Sequence, residues 1–322
     1  MSTQQKSTIR RFTVFRNRFG HLRAGWRIFL YVASVVMLSK LLDLLANSFL
    51  LIQGDHLSDY ALLWNRLAGK SLQLLAVLVP GIVLLKWMDK RPIALLGIGF
   101  YKGTLRELAT GMLLGLILIP LSVSILWLTG AASISFAGFS SGLLLYLLCT
   151  LFIFIISAAY EEILFRGYIF QSLIEGSSFC ISLGIYSLLF GAAHLSNQGI
   201  TVFSIAVTVM AGAFLGVLYI KTRALWMCIG VHFIWNWTMA SLFGMGLSDS
   251  KFLRKSLFTY QPSQSFMLNG KDVASEIVLG VLLMALTIYL WKARWLRPAE
   301  YSRNLWSRYP SKYGTGPETG LL

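Results

Sequence analysis

Eight long apolar runs dominate this sequence and restrict the folds open to it. They cover roughly residues 28–52, 71–88, 108–130, 141–173, 181–197, 201–220, 225–243 and 277–291. A helix crosses the hydrocarbon core of a bilayer with about 17–25 residues. The fifth and eighth runs are short, and the fourth exceeds one crossing unless it tilts. Barrel strands would alternate polar and apolar residues instead. We therefore predict an all-α, polytopic bundle of about eight transmembrane helices.

Composition agrees with this class and suggests how the chain is divided. Only 13% of the residues are charged and the mean hydropathy is +0.68, whereas a soluble domain has about 25% charged residues. We predict a basic interfacial segment at 1–27, a membrane domain at 28–298 whose motif core is 141–243, and a polar cytoplasmic tail at 299–322. We find no internal repeat and expect no cleavable signal. The three cysteines form no CxxC pair, which indicates free thiols.

The net charge of +15 could suggest nucleic acid, but its distribution indicates a membrane protein. Basic residues lie at the ends of the apolar runs, where they orient helices and meet anionic lipid headgroups. We therefore predict no nucleic-acid partner. If the N-terminus is cytoplasmic, most of the 28 basic residues fall on that side, and the positive-inside rule favours both termini in the cytoplasm. The outer side would hold Arg66, Lys70, Lys251, Arg254, Lys255 and Lys271.

A few polar and ionisable residues interrupt the apolar runs. Such groups cost about 2.5–3.5 kcal/mol each inside a membrane, which makes them functional candidates. They are Glu161, Glu162 and Arg166 in the fourth run, His194 in the fifth, and His232 and Asn236 in the seventh.

The two adjacent glutamates have different expected partners. Glu162 and Arg166 are four residues apart, so on a helix they can form an ion pair. A buried pair that only fixes packing would explain both of these residues. Glu161 points about 100° away on the same helix, so that pair does not explain it.

Glu161 and His194 are placed symmetrically about a predicted turn at Gly176-Ser177-Ser178. In an antiparallel hairpin each would lie roughly 20 Å along its helix from the turn, at the same depth. A carboxylate and an imidazole at one depth could share a water and deprotonate it. His232 and Asn236 share a helix face, and both can donate hydrogen bonds to an oxyanion.

The sequence alone leaves other roles open for these residues. A lone buried histidine is often only a satisfied core residue. Glu161, His194 and His232 could also ligate a metal, although the sequence contains no HExxH motif and no GxSxG motif. We expect no cofactor, since nothing in the sequence requires a metal.

Together the motifs resemble the CPBP family, which contains the type II CAAX prenyl endopeptidases and the Abi proteins. The family pattern of EExxxR, FxxxH and HxxxN is found here as Glu161-Glu162-x-x-x-Arg166, Phe190-x-x-x-His194 and His232-x-x-x-Asn236. The resemblance covers roughly 141–243. One difference is Thr222-Arg223-Ala224, where many relatives have Thr-Gly-Ser.

The resemblance implies an eight-helix intramembrane endopeptidase with a cavity open toward the cytoplasm. In that picture Glu161 and His194 activate water, while His232 and Asn236 hold the oxyanion. Glu162, Arg166 and Phe190 would support the site. The substrate would be a membrane-associated peptide or protein, lipidated in the eukaryotic precedent, and the location a bacterial-type plasma membrane.

Two other functions compete with proteolysis. A non-catalytic immunity or scaffold protein could keep the fold without turnover, although it would not need four polar groups in the membrane. A proton-coupled transporter would also carry intramembrane Glu and His, but many carriers show a repeat, which this sequence lacks.

Overall fold

The computed structural model describes residue 15 and residues 22–54, 56–197, 200–246, 253–268 and 271–308. Most of the predicted basic segment 1–27, Lys251 and the tail beyond 308 lie outside the described residues. The helices are α1 (Ala24–Phe49), α2 (Asp59–Val83), α3 (Thr104–Leu128), α4 (Leu143–Glu162), α5 (Gln171–Gly176), α6 (Phe179–Ala192), α7 (Val202–Thr222), α8 (Trp226–Trp237), α9 (Val273–Lys292) and α10 (Glu300–Ser307). The strands are β1 (Ala132–Phe136), β2 (Phe258–Pro262), β3 (Met267–Leu268) and β4 (Lys271–Asp272).

Six helical segments of the described chain are long and apolar enough to cross a membrane. They are Ala24–Phe49, Asp59–Met88, Thr104–Leu128, Leu143–Gly176, Val202–Thr222 and Val273–Lys292. The prediction of a helical multi-pass bundle is thus confirmed, while its count of eight exceeds these six. The two further predicted crossings are shorter helices, because α6 has 14 residues and α8 has 12 before its helical winding changes.

Three helices continue into wider π-helical turns. α2 runs into Leu84–Met88, α4 into Ile163–Phe170 and α8 into Thr238–Leu242. In the second case the change follows directly after the predicted site residues Glu161-Glu162, and in the third it begins two residues after Asn236. π-helical turns are rare and often lie at functional sites.

Glycines allow α3 and α8 to pack backbone to backbone. A Cβ atom added at Gly111 would lie 2.2 Å from the carbonyl oxygen of Met227, and one at Gly230 would lie 2.4 Å from that of Leu108. No larger residue fits such a contact without moving a helix. Small residues of this kind hold membrane helices together where lipid provides no hydrophobic driving force. The contact positions α8, which carries His232.

The GxxxG pair of α7 has the same role against α6. A Cβ at Gly212 would meet the Cα of Ser187 at 3.2 Å, and one at Gly216 would meet the Leu183 side chain at 2.6 Å. The close α6–α7 packing places Phe190, near the end of α6, beside the interior of the bundle.

One end of the bundle is rich in basic residues, and we call it the basic end. Arg27 of α1 donates to Glu175 of α5 at 2.6 Å and to Asp89 at 2.7 Å, which joins the start of α1 to the far ends of the second and fourth crossings. Trp306 of α10 donates to the carbonyl oxygen of Arg223, after α7, at 3.1 Å. The described basic residues in the segments at this end are Arg23, Arg27, Lys86, Lys90, Arg91, Lys102, Arg106, Lys221, Arg223, Lys292, Arg294, Arg297, Arg303 and Arg308.

The opposite end carries the short strands, and we call it the strand end. β1 and β2 pair antiparallel, with Ala132 opposite Pro262. The backbone N–H of Arg254 donates to the hydroxyl of Tyr146, near the start of α4, at 2.7 Å. Lys255 pairs with Asp59, the first residue of α2, at 2.9 Å. The strands thus lie beside the starts of α2 and α4 and the end of α3.

Candidate active site

The predicted catalytic residues line one cavity of about 840 Å³. Glu161 comes from α4, His232 and Asn236 from α8, and His194 from the turn after α6. α2, α3, α7 and α9 supply further lining residues. Four residues that are far apart in the sequence are therefore brought to one place inside the bundle.

Glu161 and Glu162 face different surroundings, as their adjacency on a helix predicts. The Glu161 side chain is 18% exposed and lines the cavity, whereas the Glu162 side chain is fully buried. The two carboxylates therefore have different chemical surroundings although they are neighbours in the chain.

Glu162 joins two other side chains through one oxygen. Its Oε1 accepts a hydrogen bond from Arg166 Nη1 at 2.6 Å, so the predicted ion pair is present in the structure. The same oxygen lies 2.7 Å from Nδ1 of His232. Since a carboxylate only accepts, Nδ1 carries a proton and donates it. Glu162 thereby fixes the tautomer and the ring orientation of His232.

Aromatic rings enclose the buried guanidinium of Arg166. Its Cζ lies 4.5 Å from the centre of the Phe190 ring and 5.1 Å from that of Tyr186. Phe165 packs edge-on against Phe190, with ring centres 5.1 Å apart. The negative faces of the rings and the Glu162 carboxylate together stabilise a cation that is fully buried.

His232 Nε2 faces Glu161 across a short gap. The nitrogen lies 3.8 Å from Glu161 Oε2, which is too far for a direct hydrogen bond. Because Nδ1 is occupied by Glu162, Nε2 is the nitrogen left to act in the cavity. A contact of this length between polar atoms is one that a water molecule can bridge.

His194 reaches the cavity from a different local structure than predicted. The expectation that it lies on a helix was wrong, since α6 ends at Ala192 and His194 lies in the following turn. Its Nδ1 donates to the carbonyl oxygen of Phe190 at 2.8 Å, which leaves Nε2 for the cavity. Phe190 therefore holds Arg166 with its ring and His194 with its backbone.

Several further residues of the cavity lining were not predicted from the sequence. Arg66 and Lys70 of α2 line the wall, and Lys70 Nζ lies 5.3 Å from the centre of the Tyr160 ring. The contact of Glu162 with His232 was not predicted either, because helical periodicity does not relate residues that are 70 positions apart. Only the depth of each residue in its crossing could have suggested that the two meet.

The three residues considered as metal ligands, Glu161, His194 and His232, all line the cavity. Within the described chain, no group of three or more His, Cys, Asp or Glu side chains is arranged to hold a metal ion. Of these three residues, Glu161 and His232 approach each other, with 3.8 Å between Glu161 Oε2 and His232 Nε2.

The fold and the cavity together define a multi-pass helical membrane protein with a polar site enclosed by its helices. Residues 141–238 match the family of type II CAAX prenyl endopeptidase Rce1-like proteins, and the matched segment contains all three motifs. The predicted resemblance to this protease family is confirmed. The match supports a CAAX-protease-like function and the class of membrane protease. No curated protein matches the chain.

Proposed function

We propose that this protein is an intramembrane endopeptidase of glutamate type that hydrolyses a peptide bond of a membrane-associated substrate. The observation that carries the proposal is the gap of 3.8 Å between Glu161 Oε2 and His232 Nε2 within the cavity. A water bound between these atoms could lie about 2.8 Å from each, which is normal hydrogen-bond length.

Glu161 is the proposed general base. Water attacks the carbonyl carbon of the scissile bond while its proton passes to the Glu161 carboxylate, and the carbonyl oxygen becomes an oxyanion. The carboxylic acid then returns the proton to the leaving amine as the C–N bond breaks. This cycle consumes one water and leaves Glu161 ionised again.

The oxyanion needs hydrogen-bond donors close to it. Asn236 lies one helical turn beyond His232, and both line the cavity. The Asn236 amide can donate in its ordinary state. His232 can donate from Nε2 only when that nitrogen is protonated, because Nδ1 already donates to Glu162. We propose that His232 does so as an imidazolium, and that His194 Nε2 assists Glu161 with the water.

Glu162 and Arg166 are proposed to position His232 rather than to contact the substrate. Both are fully buried, and Glu162 reaches the cavity only through its hydrogen bond to His232. Phe190 completes this support by its contacts with Arg166 and His194.

The substrate is proposed to be a peptide or protein held at the bilayer, since the site lies among membrane-spanning helices. A lipidated peptide is the substrate that the family suggests. A signal-like or membrane-spanning peptide suits the same cavity. The bacterial-type plasma membrane is the proposed location, and the orientation of the bundle decides from which face the substrate enters.

The test is cleavage of lipidated and membrane-spanning reporter peptides by the purified protein, read by mass spectrometry. Wild type, Glu161→Gln and the matched control Glu300→Gln, an exposed acid on α10, are run with and without a metal chelator. We expect cleavage by wild type and by Glu300→Gln, and none by Glu161→Gln. Normal cleavage by Glu161→Gln would overturn its role as base.

The chelator arm decides whether a metal takes part. Cleavage that is unchanged by chelation supports water activation by side chains alone. Loss of cleavage, restored by added divalent metal, would assign Glu161, His194 and His232 to a metal site instead. A folded wild type that cleaves no reporter in the set would favour the non-catalytic scaffold function.

A further inference from the structure

The cavity reaches the surface at the strand end of the bundle. Its lining includes Tyr260 and Pro262 of β2, Lys271 and Asp272 of β4, and Glu276 in the first turn of α9. The hydroxyl of Thr201, the residue before α7, donates to Glu276 at 2.8 Å. This hydrogen bond places the start of α7 at the same end.

Buried residues close the cavity toward the basic end. Glu162 and Arg166 are fully buried on that side of the cavity. The cavity wall there is formed by three buried residues, Phe165, Phe190 and Leu215. Among the described residues, none from 71–118, 166–189, 216–231 or 280–308 lines the cavity. The basic-end halves of the described helices thus contribute no wall to it, and the described lining reaches the surface at the strand end.

The charge distribution assigns the two ends to the two faces of the membrane. The segments at the basic end carry most of the described Lys and Arg, and Lys6, Arg10, Arg11, Arg16 and Arg18 precede α1 in the sequence. The strand end carries fewer described basic residues, which are Arg66, Lys70, Arg254, Lys255 and Lys271. Its connections are short enough for these residues to count in the comparison, and the basic end still has the larger number. The positive-inside rule therefore makes the basic end cytoplasmic.

From these two observations we infer that the cavity opens on the non-cytoplasmic face of the membrane and receives its substrate there. The sequence led to two expectations, cytoplasmic termini and a cavity open toward the cytoplasm. The structure makes them mutually exclusive, because the start of α1 and the cavity entrance lie at opposite ends of the bundle.

This inference narrows the substrate class and, in that respect, rests on the proposed function. The substrate is a peptide segment that has already crossed the membrane, or the outer flank of a membrane-spanning anchor. A peptide held on the cytoplasmic leaflet would face the closed end of the site.

Site-directed cysteine labelling in intact cells tests the orientation without any substrate. The native residues Cys149, Cys180 and Cys228 are first replaced by Ala, and the variant must purify as a single folded species. Lys271→Cys then places a thiol at the cavity entrance, and Arg294→Cys places one beyond α9 at the basic end. Both positions are exposed, and neither takes part in the proposed chemistry. Cells or spheroplasts are treated with a membrane-impermeant maleimide before and after the membrane is opened.

We expect the Lys271→Cys variant to be labelled fully in intact cells and the Arg294→Cys variant only after opening. The reverse pattern, or labelling of both or neither before opening, would overturn the inference. In a second experiment, a reporter peptide that the wild type cleaves is added to one face or the other of vesicles in which the protein has a single orientation. Cleavage is expected only when the reporter is added on the face that carries the strand end. Because labelling needs no turnover, an inactive protein with the expected labelling would contradict the proposed protease function alone.

Discussion

Glu162 Oε1 and His232 Nδ1 lie 2.7 Å apart in a buried contact, although 70 residues separate them in the chain. The same oxygen binds Arg166 at 2.6 Å. The first glutamate of the motif therefore faces the cavity, while the second fixes the imidazole that lies opposite the first. The ion pair is part of the site as well as part of the packing.

The role of Glu162 is separable from that of the ion pair. Arg166→Met alone leaves a buried carboxylate without its cation, which we expect to cost about 3–5 kcal/mol of stability. The double variant Glu162→Gln with Arg166→Met removes both charges, and we expect it to regain much of that loss in a thermal unfolding assay. The amide oxygen that replaces the carboxylate could still accept from His232, so some cleavage is also expected. A double variant as unstable as the single one would contradict this account.

Asn236→Ala tests the oxyanion proposal. Loss of one such donor reduces kcat by about 10²–10³ in enzymes where it has been measured, and we expect a decrease of that order with KM little changed. Asn304→Ala, at an exposed position of α10, is the matched control. A rise in KM with unchanged kcat would instead assign Asn236 to substrate binding.

The glycine contact between α3 and α8 is expected to be intolerant of side chains. Gly230→Val would force atoms into the carbonyl oxygen of Leu108, and overpacking of this kind costs about 1–3 kcal/mol. Both melting temperature and activity should fall, because α8 carries His232 and Asn236. Gly184→Val is the control, since a Cβ there has no neighbour within 4 Å. Equal effects of the two variants would argue against a special role for this contact.

Arg223 occupies a backbone conformation that favours glycine. Its φ is 56°, and this left-handed region costs a residue with a Cβ about 1–2 kcal/mol. Burial lowers the pKa of its guanidinium to about 10, and the guanidinium carbon lies 5.2 Å from the Trp306 ring. Arg223→Gly and Arg223→Ala both remove the guanidinium, but only glycine relieves the backbone. We expect the Gly variant to be the more stable of the two in thermal unfolding. The opposite order would show that the left-handed conformation is not kept.

Local patterns predicted local structure well. The spacing of Glu162 and Arg166 gave their ion pair, and Gly176-Ser177-Ser178 marked the turn before α6. The motifs also identified the family, which the match of residues 141–238 confirms. These features depend on residues a few positions apart, where helical geometry leaves little choice.

The features that the sequence did not predict depend on how the helices pack against one another. The fifth apolar run was predicted to reach residue 197, whereas α6 ends at Ala192, and the polar residues Ser196 and Asn197 already lie in the turn that follows. The side from which the cavity opens follows from the residues that fill the space between crossings. A hydropathy profile contains no information about that filling. The family resemblance suggested an entrance side that conflicts with the charge distribution once the cavity is located.

The depth of Glu161 has a consequence for any peptide that reaches it. Peptides within a bilayer are normally helical, and each carbonyl then accepts a hydrogen bond from an amide four residues on. An attacking water finds such a carbonyl engaged and shielded by the following turn. If Glu161 acts as the base as proposed, cleavage requires local unwinding of the substrate helix, and glycine, serine or proline near the scissile bond would lower the cost of that unwinding. The helical propensity of the substrate segment, as much as any side chain at the cut, would then decide which membrane peptides are cleaved.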